Sequence, residues 1–240
     1  MFIILLLIAF IVITFIVESK RGGKYFEKLT PTMRFINAAG SSGYSQADCG
    51  SMDIGGNPEN NWAKRHMRKL LKSGWNINST EDLKSSISWL FNEGHNNECM
   101  ELVKRYKEDP NAIEFIKCKK ELKDMLNTLS TKYENKGILA WDICRICNIA
   151  GWGFLAKYIT YEEAIEVSVD ACKILQKNYN SWDDMMESYF CGLYYWSNDI
   201  YQLNNRKSIY ESSKKNEDSI YNIPWDTVLD PKDVIPPRKK

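Results

Sequence analysis

Apolar residues recur at intervals of three and four along most of the chain beyond residue 60, which is the spacing of one helix face. The stretch 138–155 places Leu139, Ile143, Ile146 and Ala150 on such a stripe. No convincing run alternates polar and apolar residues, as strands do. Because the last three stretches are joined by only a few residues, neighbouring helices are expected to be antiparallel. The pattern predicts an all-α fold, an antiparallel helical domain of about six to eight helices.

Helix ends are marked by capping residues. Gly94 is expected to end the helix that carries Leu83, Ile87 and Leu90. After Pro110 a single helix is predicted to run through Leu126. Three starts are predicted where a hydroxyl residue precedes an acid by three positions: Ser79 with Asp82, Thr160 with Glu163, and Ser181 with Asp184.

The first segment, Phe2 to Val17, is apolar on every face and has no charged residue. As a helix it would be about 24 Å long, a little short of the roughly 30 Å core of a bilayer. A cleaved signal peptide is the alternative, but no basic residue precedes the run and no A-x-A site follows it. We therefore predict an uncleaved transmembrane helix over residues 1–18.

The orientation of this anchor follows from its flanks. Lys20, Arg21 and Lys24 come directly after it, and the positive-inside rule then places the rest of the chain in the cytoplasm. The seven cysteines have no regular spacing, which favours reduced thiols over a disulfide framework. The prediction is a single-pass membrane protein with its C-terminal domain in the cytoplasm.

Composition divides the remainder into three parts. Residues 19–59 are predicted to form a juxtamembrane helix and a loop, since 41–61 is rich in Gly, Ser and Asn. Residues 60–204 form the helical domain. Residues 205–240 are predicted to be a polar tail with a loose basic end, in which Trp225 is a candidate for docking on the core.

The charge balance excludes some classes of function. Lys and Arg number 32 against 31 Asp and Glu, which argues against a dedicated nucleic-acid binder. Two histidines leave little material for a histidine-rich metal site. Neither a phosphate loop nor a dinucleotide fingerprint occurs. We therefore expect no cofactor and no nucleic-acid partner.

A set of short segments, most of them containing tryptophan, occurs between residues 60 and 229. They are Trp75-Asn76-Ile77, Trp89-Leu90-Phe91-Asn92-Glu93-Gly94-His95, Ala140-Trp141-Asp142-Ile143-Cys144-Arg145, Trp152-Gly153, Glu163-Ala164, Ser181-Trp182, Gly192 with Trp196, and Pro224-Trp225-Asp226-Thr227. Their combination and order resemble a bacterial family called domain of unknown function 1266. The resemblance implies a helical domain of a bacterial protein, with no established reaction. Lys157 stands where that family usually has glycine, so the turn before Thr160 is expected to differ.

The candidate chemistry centres on one predicted helix. Asp142 and Arg145 are three residues apart and can pair on one face. Trp141, Asn148 and Trp152 lie on the same helix face as Arg145. Two indoles and an amide would then surround a guanidinium, a group suited to binding phosphate or carboxylate. The alternative is a buried ion pair that fixes the packing of the helix. The sequence leaves both open and favours the second.

Three further features have simple structural explanations. Cys144 and Cys147 form a C-x-x-C inside a helix, without the strand that accompanies redox pairs and without a second pair for zinc. Glu93 and His95 flank Gly94 and could transfer protons, or could simply mark a helix end. The basic run 64–72 is expected to form the solvent-exposed face of a helix, and contact with lipid is the alternative.

Two classes of function remain. The first is an interaction or binding module with a protein partner or a second copy of itself, favoured by the missing catalytic motifs, the scarcity of histidine and the many aromatic residues. The membrane is the other expected partner, through residues 2–17. The second is an enzyme of unrecognised type that uses Asp142 and Arg145 with Glu93 or His95.

Overall fold

The computed structural model describes residues 28–41, 53–216 and 219–238. In these ranges the chain forms ten α-helices and one 3-10 helix, with no β-strand. Eight of the helices lie between residues 60 and 199, as predicted for the helical domain. The helices are α1 (Pro31–Ser41), α2 (Asn61–Trp75), α3 (Thr80–Asn92), α4 (Asn96–Glu108), α5 (Ile113–Ile116), α6 (Lys120–Thr131), α7 (Leu139–Ala156), α8 (Tyr161–Asn178), α9 (Trp182–Ser197) and α10 (Ile200–Lys214), and the 3-10 helix is Ile220–Asn222.

Helix α7 is the centre of the domain. Helices α1, α2, α3, α8 and α9 pack around it, and all of its residues except Leu139 and Trp152 are buried. Glycines permit the closest approaches: a Cβ on Gly153 would lie 2.3 Å from the Leu83 side chain, and one on Gly192 would lie 2.2 Å from Cβ of Trp141. The all-α prediction is confirmed, but α7 is buried on every side and not along one stripe.

The capping predictions are confirmed. The hydroxyls of Ser79 and Ser181 accept hydrogen bonds from the backbone three residues on, and Thr160 forms a complete capping box with Glu163. Gly94 follows α3 with a φ of +58°. The single helix predicted after Pro110 is wrong, because the chain leaves the helical conformation at Lys119, where ψ is 148°, and separates α5 from α6.

The turn before Thr160 contains a lysine in the conformation that glycine favours. Lys157 has φ 66° and ψ 36°, and its N–H bonds the carbonyls of Gly153 and Phe154. Its ammonium pairs with Glu59 at 2.6 Å. The turn therefore has a lysine where glycine was expected, and Lys157 adopts the left-handed backbone conformation.

The two ends of the described chain meet on the domain. Helix α10 occupies 200–214, so the region expected to be a polar tail begins as a helix. Residues 219–238 then run back over the core, where Trp225 Nε1 donates to Tyr179 O at 2.8 Å. The Thr30 hydroxyl donates to the carbonyl of Asp233, which ties this segment to the start of α1.

The predicted anchor at residues 2–17 lies outside the described residues, as does 42–52 of the predicted loop. A search of the described ranges finds no helix with the length and apolar character needed to cross a bilayer.

Candidate functional site

Asp142 is buried and caps a neighbouring helix. Its Oδ1 accepts the N–H of His95 at 3.1 Å and its Oδ2 accepts the N–H of Asn96 at 2.9 Å, both at the start of α4. His95, at the N-cap position, makes no side-chain cap of its own. Gly94 lies so close that a Cβ there would be 2.2 Å from Asp142 Oδ2. The carboxylate therefore replaces the missing local cap and meets the positive end of the helix dipole.

The Arg145 guanidinium is stacked between two indoles. Its Cζ lies 4.7 Å from the ring centroid of Trp141 and 5.3 Å from that of Trp75. Nε donates to Trp141 O at 3.1 Å, and Nη2 donates to Asp142 Oδ1 and to His95 Nδ1. No hydrogen bond to a described residue uses Nη1. Burial lowers the pKa of Arg145 and Asp142 opposes that shift, and an arginine remains charged at neutral pH.

The hydrogen bond from Arg145 fixes the tautomer of His95. A guanidinium only donates, so Nδ1 must accept and the ring proton resides on Nε2. The His95 ring contacts Trp89 edge-on at 5.1 Å, and a quarter of its side chain is exposed. The site therefore presents an imidazole N–H near the protein surface.

The indole of Trp141 connects the guanidinium to a more exposed surface. Its Nε1 is buried and has no hydrogen-bond partner among the described residues. Its ring centroid lies 5.9 Å from that of Trp196, which is 57% exposed, and Trp89, which contacts His95, is 36% exposed. We call the set Trp75, Trp89, His95, Trp141, Arg145 and Trp196 the arginine cluster.

A protein-family model described as "Protein of unknown function (DUF1266)" matches residues 70–225. The chain belongs to this family. No curated protein and no solved structure matches the chain. The matched range contains every member of the arginine cluster, and the earlier resemblance is confirmed at the level of the family.

The DUF1266 domain does not bring every candidate residue to this cluster. Asn148 lines a separate cavity of about 10 Å³ beside Gly40 and Asp53, and its buried Oδ1 has no partner among the described residues. Trp152 is half-buried against the core. Glu93 is exposed, and no described residue forms an ion pair or hydrogen bond with its carboxylate.

Three members of the cluster were missed in the sequence. Trp75, Trp89 and Trp196 lie on α2, α3 and α9, far from Arg145 along the chain. Their segments were part of the family resemblance, and this was the available signal. Spacing along one helix could not have revealed them, because it reports only neighbours on that helix.

The cysteines of the DUF1266 domain have no arrangement suited to a metal. Cys147 Sγ lies 3.9 Å from Cys172 Sγ, whereas Cys144 Sγ lies 3.5 Å from Met185 Sδ, so the C-x-x-C pair is divided between two environments. Burial raises the pKa of Cys172 well above its usual value. Within the described ranges no group of three or more His, Cys, Asp or Glu residues could hold an ion.

Proposed function

We propose that the DUF1266 domain is a binding module whose arginine cluster recognises a carboxylate of a polypeptide partner. The supporting observation is a set of unused donors. Both N–H groups on Arg145 Nη1 and the buried Trp141 Nε1–H have no hydrogen-bond acceptor among the described residues. Guanidinium and indole nitrogens only donate, so the group that fits them must accept hydrogen bonds, and a guanidinium bonds an anionic acceptor most strongly.

The local electrostatics permit a second anion near Asp142. The charge of Arg145 is offset by the Asp142 carboxylate, but that carboxylate also accepts two backbone N–H groups at the start of α4. A helix N-terminus has a partial positive charge. A partner carboxylate would therefore meet a site that is still slightly positive.

The surface next to the cluster favours a polypeptide as the source of that group. Trp89 and Trp196 are both substantially exposed, and they contact His95 and Trp141, the neighbours of the guanidinium. Tryptophan and arginine are the residues that most often dominate binding energy at protein interfaces. A second copy of the chain is the alternative partner, since a net charge of +1 opposes self-association only weakly.

Catalysis is the weaker alternative. A carboxyl group that acts as general acid or base needs an oxygen that is free to exchange a proton with substrate, and both oxygens of Asp142 already accept hydrogen bonds. Glu93 is exposed and does not contact Arg145. His95 is the remaining candidate for proton transfer, since its side chain is one-quarter exposed and its ring proton lies on Nε2.

We further propose that residues 2–17 anchor the chain in a bacterial membrane as a single span, with the domain in the cytoplasm. Support comes from the uncharged apolar run and from the basic residues Lys20, Arg21 and Lys24 that follow it. Protease digestion of inverted and right-side-out membrane vesicles tests this location. Cleavage of the domain only in inverted vesicles is expected, and extraction of the intact chain by alkaline carbonate would contradict the anchor.

The binding proposal is tested by NMR of full-length protein with ¹⁵N-labelled indoles in mild detergent. Phenylacetate, which joins a carboxylate to an apolar ring, is titrated at constant ionic strength against chloride. The Trp141 Nε1–H resonance, assigned from Trp141→Phe, is expected to shift saturably as it gains an acceptor. Orthophosphate and acetate are the comparison probes, and both are expected to bind more weakly.

Arg145→Lys is the matched variant, because it keeps the positive charge and removes the planar fork. Saturable binding should be lost in this variant while the far-UV circular dichroism stays unchanged. No saturable shift with any of the three probes would refute the proposal. Tighter binding of orthophosphate than of phenylacetate would indicate a phosphate ligand in place of a polypeptide carboxylate.

A further inference from the structure

Helix α2 (Asn61–Trp75) has a one-sided charge. It contains no acidic residue, although the whole chain has a net charge of only +1. Its buried residues are Ala63, Met67 and Leu71, which face the core. The basic residues on the remaining face are Lys64, Arg65, Arg68, Lys69 and Lys72.

Four of these cations, including the half-buried Lys64, have no side-chain partner among the described residues. Arg65, Lys69 and Lys72 are exposed, and no ion pair or hydrogen bond to their side chains is found there. Arg68 is different, because its Nε donates to Ala156 O at 2.9 Å and its guanidinium lies over the Tyr158 ring. Unpaired charges on one helix face create a positive potential that is not neutralised locally.

An exposed tryptophan lies at the start of the same helix. Trp62 is 57% exposed and stacks on His66, with ring centroids 4.9 Å apart and an interplanar angle of 6°. An indole has an apolar body and one polar N–H, which suits the boundary between lipid and water. The apolar face of α2 packs on the core, so Trp62 is the exposed aromatic residue that its basic face could bring to a membrane interface.

The described C-terminal segment meets the chain just before α2, where Arg238 also forms an ion pair with Asp53. The carbonyl of Arg238 accepts the N–H of Glu59 at 2.7 Å, just before α2 begins. Lys239 and Lys240 follow Arg238 in the sequence. Lys157 also meets this end, where its ammonium pairs with Glu59.

We propose that the exposed face of α2 binds an anionic membrane surface. The proposal rests on the proposed anchor, because residues 18–30 span at most about 45 Å and would hold the domain close to the bilayer. The cations would be attracted to anionic headgroups, and Trp62 would enter the interface. Nucleic acid and acidic proteins offer a similar charge but no lipid boundary for the indole.

The test reconstitutes full-length protein into phosphatidylcholine vesicles with and without phosphatidylglycerol, using brominated acyl chains that quench nearby indoles. The contribution of Trp62 is obtained by difference from Trp62→Phe. It is expected to be quenched several-fold more strongly in the anionic vesicles. High salt should remove that difference, since it shortens the Debye length.

The variant Arg65→Glu/Lys69→Glu/Lys72→Glu removes the basic face. A matched control, Lys104→Glu/Lys173→Glu/Lys177→Glu, makes the same change of net charge at exposed lysines of α4 and α8. Only the first triple variant is expected to lose the quenching of Trp62, with both retaining the helical circular dichroism of the wild type.

Several outcomes would overturn the proposal: Trp62 unquenched in anionic vesicles, equal quenching in both lipids, or equal loss in both triple variants. Failure of the anchor gives a different result. The protein would then not float with phosphatidylcholine vesicles, while Trp62 would still be quenched in the anionic ones.

Discussion

Gly94→Ala is expected to destabilise the domain severely, because this glycine lies between the end of α3 and the Asp142 carboxylate. The new Cβ would be 2.2 Å from Oδ2 and 2.4 Å from Cγ of Asp142. The backbone at Gly94 also has a φ of +58°, where an L-residue is strained. Two separate penalties therefore follow from one methyl group.

The magnitude can be worked from these contacts. The left-handed conformation costs alanine about 1–2 kcal/mol. Displacing the carboxylate weakens at least one charged hydrogen bond to the start of α4, worth about 1.5–3 kcal/mol. Together these predict a loss of about 2.5–5 kcal/mol in the free energy of unfolding. The carboxylate cannot move away to relieve the contact without also leaving Arg145.

The measurement is urea unfolding of full-length protein in mild detergent, followed by circular dichroism. Gly74→Ala is the matched control, because Gly74 lies in α2 with no atom within 4 Å of an added Cβ. That change is expected to raise the free energy of unfolding by about 0.5–1 kcal/mol. If Gly94→Ala lost less than 1 kcal/mol, the close contact between Gly94 and Asp142 and the capping role derived from it would be refuted.

Two further results are expected. Lys157→Gly should be more stable than Lys157→Ala by about 1 kcal/mol in the same assay, since both lose the ammonium's ion pair but only glycine relaxes the left-handed backbone; equal stabilities would contradict this account. Cys118, half-buried, should react with a disulfide reagent at pH 8 faster than the buried thiols, among which burial raises the pKa of Cys99 and Cys191 to about 12. The measurement uses a Cys49→Ser background, and a fast phase that persists in Cys118→Ser would contradict it.

Features that depend on nearby residues could be predicted from the sequence. The capping box of Thr160 and Glu163 needs only a three-residue spacing, and it is present as expected. Helix α10 could not be found in this way, because its apolar residues are gathered in two groups, with the polar run 204–208 between them, and only Leu203 and Tyr210 are buried. The burial of α7 on every side was also not predictable, since it is a property of the five helices that surround it.

The candidate site shows the same division. Pairing of Asp142 with Arg145 follows from their spacing on one helix, and it is present. The contact of Arg145 with Trp75 does not follow, because α2 and α7 are brought together only by the packed domain. A local pattern identified the charged pair, and the fold supplied the aromatic surroundings that make it a candidate binding site.

A structural ion pair and a candidate ligand site involve different atoms of the Arg145 guanidinium. Asp142 accepts hydrogen bonds from the start of α4, and Nη2 of Arg145 donates to Asp142 and His95. Nη1 belongs to the same guanidinium, but no described residue accepts from it. Loss of stability on replacing Arg145 would therefore measure the first role and leave the second unexamined. Occupancy of the free donors must be observed directly, at the indole N–H of Trp141, in protein that is still folded.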